Sequence, residues 1–390
     1  MAGTEEYIKN YGDISFTEMP FGDADNMALC EMFYMPLEKV VSADFDDEPK
    51  CFGEVANDMF NYMGCKHKPL GIMITKTPSM KMMEMSRYRR FSEMQVVACQ
   101  EVFCPDPAVQ FAAATFLLPN NTFVVAFRGT DDTIAGWKED FDLYLKKGIP
   151  SHSLAVDYLE KAAKKFSGNI IVCGHSKGGN VALYAALNCS KETRDRIDNL
   201  YNNDGPGFAD YGFLATPAYR ELLPRYRHFV PSSSMIGMLL AHDEDYTVVK
   251  SSRHIGALQH DLATWQVEGS EPETKDGLTA QGKIMDLGLM EVVYHVTDEQ
   301  SKTIDEVISK LIKATGEISL TGFVKNIIPA VDNAAKAWKD IDEDTRDVFK
   351  SAFNGVGKKF VEAAKTVKEE AAPAVAQRID IIAERILANA

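Results

Sequence analysis

Ser176 stands in Gly174-His175-Ser176-Lys177-Gly178, a G-x-S-x-G sequence. A serine hydroxyl is a weak nucleophile. A hydrolase makes it reactive with a histidine that takes its proton, a carboxylate that orients the histidine, and donors that receive the oxyanion. The two glycines suit a sharp strand-to-helix turn, because a side chain at either position would collide with the strand or the helix. The plainer alternative is a tight turn, which would not need the serine. The flanking residues favour the nucleophile. Ile170 to Cys173 form a short all-apolar run, as in a strand buried on both faces of a parallel sheet, and from Lys177 the spacing is helical, with Val181, Ala182, Ala185 and Leu187 facing inward.

In this arrangement the partners follow in the order serine, acid, histidine. His260, in Leu258-Gln259-His260-Asp261, comes one loop after the last strand candidate, Tyr246 to Lys250. His228, His242 and His254 compete with it. His228 lies inside a strand-like run and reads as a core or edge residue, and His175 sits in the turn itself, from which it cannot reach its neighbour's proton. For the acid, Asp204 closes the strand candidate Asp198 to Asn203 ahead of Gly205-Pro206-Gly207 and is preferred to Asp243 and Asp245, which lie in a mixed polar segment. Its plainer reading is a turn residue. One strand later, Val230-Pro231-Ser232-Ser233-Ser234 offers no carboxylate.

Upstream, Val124 to Phe141 reads VVAFRGTDDTIAGWKEDF. A strand ending in Arg-Gly-Thr at the carboxyl edge of a sheet brings backbone N–H groups to where an oxyanion needs donors. FRGT followed by W-x-x-D (Trp137 to Asp140), with GHSKGG about fifty residues after it, resembles the fungal-type triacylglycerol lipases of class three and, more nearly, the bacterial Mbeg-like family of hydrolase-like proteins. The resemblance spans about residues 10 to 270. It implies an α/β-hydrolase fold, with a mostly parallel central sheet flanked by helices. It also implies that Thr130 supplies one oxyanion donor and the Lys177 backbone N–H the other. Lipases commonly have leucine where Lys177 stands. A lysine facing the site argues against a greasy substrate mouth, and the alternative is a side chain lying along the helix surface. Arg128 and Asp140 are expected to form a structural ion pair, and Trp137 to pack.

These residues need a framework. The runs MQVVACQEVF, VQFAAATFLL and TFVVAF are strand-like, and the Asn120-Asn121 turn predicts a hairpin between the second and third. Leu154 to Phe166 has helical spacing, and further strands are predicted at 170–173, 198–203, 226–230 and 246–250. Strand and helix then alternate as in an α/β fold. Residues 1–95 show no clean period, although Met80 to Arg90 predicts a helix with a packed methionine face. Residues 301–390 are rich in Ala and Lys, which predicts several amphipathic helices interrupted at Gly355, Gly357 and Pro373. The expected organisation is an N-terminal segment packing on the core (1–95), an α/β-hydrolase core (96–270) and a C-terminal helical region (271–390).

Composition narrows the function. The chain has 390 residues, 45% of them hydrophobic, enough for one large core and an appendage. A net charge of −15 disfavours nucleic-acid binding. Residues 301–390 carry 14 basic and 14 acidic side chains, so the whole excess lies in residues 1–300. Balanced charge in the C-terminal helices gives little reason to expect anionic membranes as partners, and leaves packing on the core, a lid or self-association open. Seven scattered cysteines without CxxC spacing read as reduced thiols, with no metal site and no cofactor expected. No apolar run approaches a membrane span, and the opening MAGTEEYIKNYGD lacks the basic and then apolar pattern of a signal peptide, so a cytoplasmic location is expected. The functional expectation is a serine hydrolase acting on a small-molecule ester or acyl compound. The alternative is an inactive α/β-hydrolase-fold module whose C-terminal helices recruit a partner.

Overall fold

The computed structural model describes residues 3–64, 77–145, 148–209, 211–242, 245–254, 256–284, 286–287, 297–317, 319, 322 and 326–370. Eight strands lie in one sheet in sequence order: β1 (Lys50–Cys51), β2 (Gln95–Pro105), β3 (Ala108–Leu118), β4 (Thr122–Phe127), β5 (Asn169–His175), β6 (Ile197–Asn203), β7 (Tyr226–Pro231) and β8 (Tyr246–Val249). Strands β1 to β4 pair antiparallel, and β4 to β8 pair parallel. The β3–β4 hairpin turns at the predicted asparagines, with Asn121 at φ +57°, a left-handed value that Asn tolerates. A separate small hairpin joins β9 (Val267–Glu268) to β10 (Glu271–Pro272).

Before the parallel strands come α1 (Thr4–Tyr11), α2 (Asp23–Met32), α3 (Phe52–Met63), α4 (Thr77–Met85) and α5 (Arg89–Ser92). Between and after them are α6 (Ile134–Leu145), α7 (Pro150–Lys165), α8 (Lys177–Asn188), α9 (Lys191–Asp195), α10 (Pro217–Leu222) and α11 (Gly256–Gln259). The C-terminal region contains α12 (Asp298–Thr315), α13 (Ile327–Lys339) and α14 (Glu343–Glu370).

Strand order explains the layers. Right-handed crossovers that always step to the next position in the same direction place all their helices on one face of the sheet. Accordingly Phe123, Val125, Phe127, Ile170 and Val172 pack with Leu159 of α7, Val181 of α8 and Leu222. Side chains alternate along a strand, so Val124, Ala126, Ile171 and Cys173 point to the other face. Among the described residues no crossover helix covers that face. It is covered by the N-terminal segment, with Ile8, Ala24, Met27, Leu29, Phe52 and Met59 in the same cluster as the strand residues. Met82 and Met85 of α4 are fully buried there, as the methionine face predicted.

In the C-terminal region α12 lies against α6, with ion pairs from Lys138 to Asp305 and from Lys313 to Asp106. One expectation needs correction. Helix α14 runs without a break through Gly355 and Gly357. Each glycine costs only about 1 kcal/mol in a helix interior, and the Ala-, Lys- and Glu-rich turns around them propagate the helix. Pro373 lies outside the described residues. Helix α13 buries Ala330 but exposes Ile328 and Val331, so its apolar positions do not all face the body. Among the described residues no helix is long and apolar enough to cross a membrane.

Candidate functional site

Strand β5 ends at His175 and α8 begins at Lys177, which leaves half-buried Ser176 alone in the turn at φ +59°, ψ −134°. A non-glycine residue in such a conformation stores roughly 1–3 kcal/mol, so its surroundings must enforce it. The Ser176 N–H donates to Asn203 O (3.0 Å), and Ser176 O accepts from Gly179 N–H (2.8 Å). The flanking glycines let the elements close: a Cβ on Gly174 would lie 2.1 Å from Gly178 O, and one on Gly178 would lie 2.2 Å from Phe127 O.

Asp204 follows β6 immediately, in left-handed backbone at φ +50°, and is fully buried. Its Oδ2 accepts from His260 Nδ1 at 2.7 Å. Its Oδ1 accepts from Ser234 Oγ and from Gly237 N–H (3.0 Å). A carboxylate can only accept, so the neutral His260 ring carries its proton on Nδ1 and has a lone pair on Nε2, the form a general base needs. His260 is held beside the elbow: its carbonyl accepts from His175 Nε2–H (2.8 Å), and the two imidazole centroids are 4.4 Å apart.

The competing residues lie elsewhere. His254 and Asp245 are exposed, and Asp243 lies outside the described residues. His228 is buried within β7, as its strand-like run suggested, and His242 Nε2 pairs with Asp286 (3.1 Å). Residues 230–234, notable in the sequence only for lacking a carboxylate, contribute Ser234 as a donor to Asp204. Three consecutive serines were the only signal for it.

In the segment after β4, Thr130 Oγ1 donates to the Asp140 carboxylate at 2.6–2.7 Å. Burial pushes the Asp140 carboxyl up to about 6, against the opposing pull of the Lys177 charge. Lys177 adopts neither expected orientation. Its Nζ is buried and donates to Gln110 O (2.7 Å), Gln110 Oε1 (2.8 Å) and Glu139 Oε2 (2.8 Å), which uses all three donors. Glu139 also accepts from Gln110 N–H (3.0 Å), Ser151 N–H (3.1 Å) and Ser151 Oγ (2.6 Å). The physical reason is that Gln110 of β3 and Glu139 of α6 enclose the ammonium group, so the Lys177 side chain, 1% exposed, has no solvent to reach. Arg128 does not pair with Asp140; it meets Glu38 (3.2 Å) and Glu101 (3.0 Å), while Asp140 is taken by Thr130. Trp137 is 37% exposed. Helix α6 buries Ala135, Glu139 and Asp142, and position 137 falls on the opposite side.

Two further groups escaped the sequence reading because they come from the aperiodic N-terminus. Tyr34 Oη lies 2.8 Å from His175 Nδ1, and Asn26 makes a reciprocal amide pair with Asn203 (2.8 and 3.0 Å). Among the described residues no group of three or more His, Cys, Asp or Glu could hold a metal ion.

Among solved structures the chain is similar to M37 lipase, at 16% identity and a TM-score of 0.35, over 56% of this chain and 70% of that one. It is also similar to Rhizomucor miehei lipase in its propeptide complex, at 15% identity and a TM-score of 0.28, over 52% of this chain and 66% of that one. No curated protein matches it. The Mbeg1-like family profile matches residues 85–312, more than half of the chain, and the chain belongs to the Mbeg1-like family.

Proposed function

We propose that the chain is a serine hydrolase that cleaves an ester or acyl bond of a small molecule. The observation that carries this reading is the 2.7 Å contact of His260 Nδ1 with a fully buried Asp204, beside an elbow that holds Ser176 in strained backbone. A turn serving only the fold has no need of a strained serine next to a histidine of fixed tautomer. In this mechanism His260 Nε2 takes the Ser176 proton as Oγ attacks the carbonyl carbon, and Asp204 stabilises the resulting imidazolium. The backbone N–H groups of Thr130 and Lys177 receive the oxyanion, and the proton passes to the leaving group. Water then repeats the sequence on the acyl-enzyme.

Because the Lys177 charge is neutralised by Glu139, it gives no reason to reject an apolar acyl chain. Leu258 (52% exposed) and Trp137 (37% exposed) lie on the segments that carry His260 and Asp140, and they support an apolar substrate. A cytosolic setting is part of the proposal.

A fluorophosphonate reacts with an activated serine and tests the reading directly. The expected result is labelling of the parent protein and none of Ser176→Ala, with the circular dichroism of the two alike. Hydrolysis of p-nitrophenyl esters of increasing chain length would then define the acyl preference. An unlabelled parent would favour the inactive binding module, and a Ser176→Ala variant with parental turnover would move the nucleophile elsewhere.

A further inference from the structure

We propose that the N-terminal segment completes the site, with Tyr34 as a positioning residue that acts through His175 on His260. The inference rests on the hydrolase reading for its catalytic meaning, although the geometry it asserts can be measured separately. Tyr34 lies outside the family-matched residues 85–312, two residues beyond the end of α2.

Proton logic gives the chain its direction. The His260 carbonyl can only accept, so His175 Nε2 is the donor across their 2.8 Å contact. A neutral imidazole then has its lone pair on Nδ1, which makes Tyr34 Oη the donor across the other 2.8 Å contact. Burial holds the His175 imidazole neutral, well below its usual pKa, and the Tyr34 phenol protonated, well above its usual pKa. The Tyr34 hydroxyl thereby selects the one His175 tautomer that can donate to the His260 backbone. It also abuts the oxyanion loop, since a Cβ on Gly129 would lie 2.3 Å from Tyr34 Oη.

His260 needs such a tether. It sits in irregular chain between α11 and the short turn at Leu262–Thr264, with the adjacent Gln259 carbonyl held by Trp265 Nε1–H (2.8 Å). The support beneath Tyr34 is rigid. Helix α2 is locked to β6 and β5 by the Asn26–Asn203 amide pair, and Asn203 Nδ2 also donates to Gly174 O (3.0 Å). Asn203 is the residue before Asp204, so one N-terminal helix braces the strand ends that carry both Ser176 and Asp204.

The test compares the parent with Tyr34→Phe, which removes one hydroxyl and keeps the ring. The expected result is an intact cooperative melt, kcat and the fluorophosphonate labelling rate both lower by roughly tenfold, and KM unchanged, as for the loss of a single hydrogen bond that orients the base. The downfield proton resonance of His260 Nδ1–H is expected to be sharp in the parent and broadened in Tyr34→Phe. His175→Gln, whose amide can still donate to the His260 carbonyl, is expected to retain more activity than His175→Leu. A Tyr34→Phe protein with parental labelling and an unchanged resonance would overturn the proposal. A parent that is not labelled but shows the resonance, with broadening in Tyr34→Phe, would leave the tether standing and sink the hydrolase reading.

Discussion

At the scale of single residues, the chemistry proposed here depends on how Asp204 is satisfied. Both carboxylate oxygens are occupied, one by His260 and the other by Ser234 and Gly237, so the side chain has one orientation. Asp204→Asn is expected to lower ester turnover by roughly three to four orders of magnitude, because the amide spoils the imidazole tautomer and the stabilisation of its charge. Asp245→Asn, on an exposed loop, is expected to stay within about twofold of parent. Assays of the two variants side by side check the assignment. His152 gives a different prediction. Burial lowers its pKa from 6.5 to about 4, with Asn180 Oδ1 only 2.8 Å from Nε2. A depressed folded-state pKa means that the unfolded chain binds the proton more readily. Its stabilising contribution is therefore full above pH 6.5, declines as the pH falls below that, and is gone once the pH has fallen through about 4. The total is about 3 kcal/mol. The raised carboxyls of Asp140 and Glu31 act in the opposite sense, since their contributions are full at low pH and are lost as the pH rises through about 6 and about 7. The check is therefore the difference in urea stability between parent and His152→Gln, measured from pH 7.5 down to pH 4. A difference that does not change with pH would exclude a role for His152 titration.

At the scale of elements, the Lys177–Glu139 pair joins the start of α8 to the middle of α6, and Asp140, the next residue, holds Thr130. One buried ion pair thus ties α8, which starts with one proposed oxyanion donor, to α6, which through Asp140 holds the Thr130 segment that carries the other. Removing one partner leaves the other charged and buried, so Glu139→Gln is expected to lose roughly 3–5 kcal/mol in denaturant unfolding. The paired change Lys177→Met with Glu139→Gln is expected to recover part of that loss, because no charge is left stranded and an amide oxygen at position 139 can still accept from Ser151. The G-x-S-x-G spacing announced the turn between β5 and α8. Nothing near Lys177 in the sequence announced its partner, since residue 139 is 38 positions away and meets it only once α6 has packed on β3.

At the scale of the whole molecule, the sheet needs two coats. Sequential right-handed crossovers supply one, and the N-terminal helices supply the other, over Ile171, Cys173, Tyr201 and Phe229. Deletion of residues 1–64 is expected to give an aggregating product that binds a hydrophobic dye, with no folded core to assay; a soluble, cooperatively melting product would contradict this. Local signals in the sequence were enough for the α/β alternation, the positions of β2 to β8 though not of the two-residue β1, β9 and β10, the hairpin at Asn121 and the choice of Ser176, Asp204 and His260 as candidates. Apolar periodicity, turn residues and the glycines of an elbow are all written within a few positions of one another. Tertiary structure alone decided where Lys177 and Arg128 find their counterions, that Ser234 and Gly237 hold Asp204, and that Tyr34 and Asn26 reach the elbow from the far face. Those contacts join residues from 27 to 177 positions apart, and a polar side chain records in the sequence only that it needs a partner. Which partner it meets is set by how the layers stack.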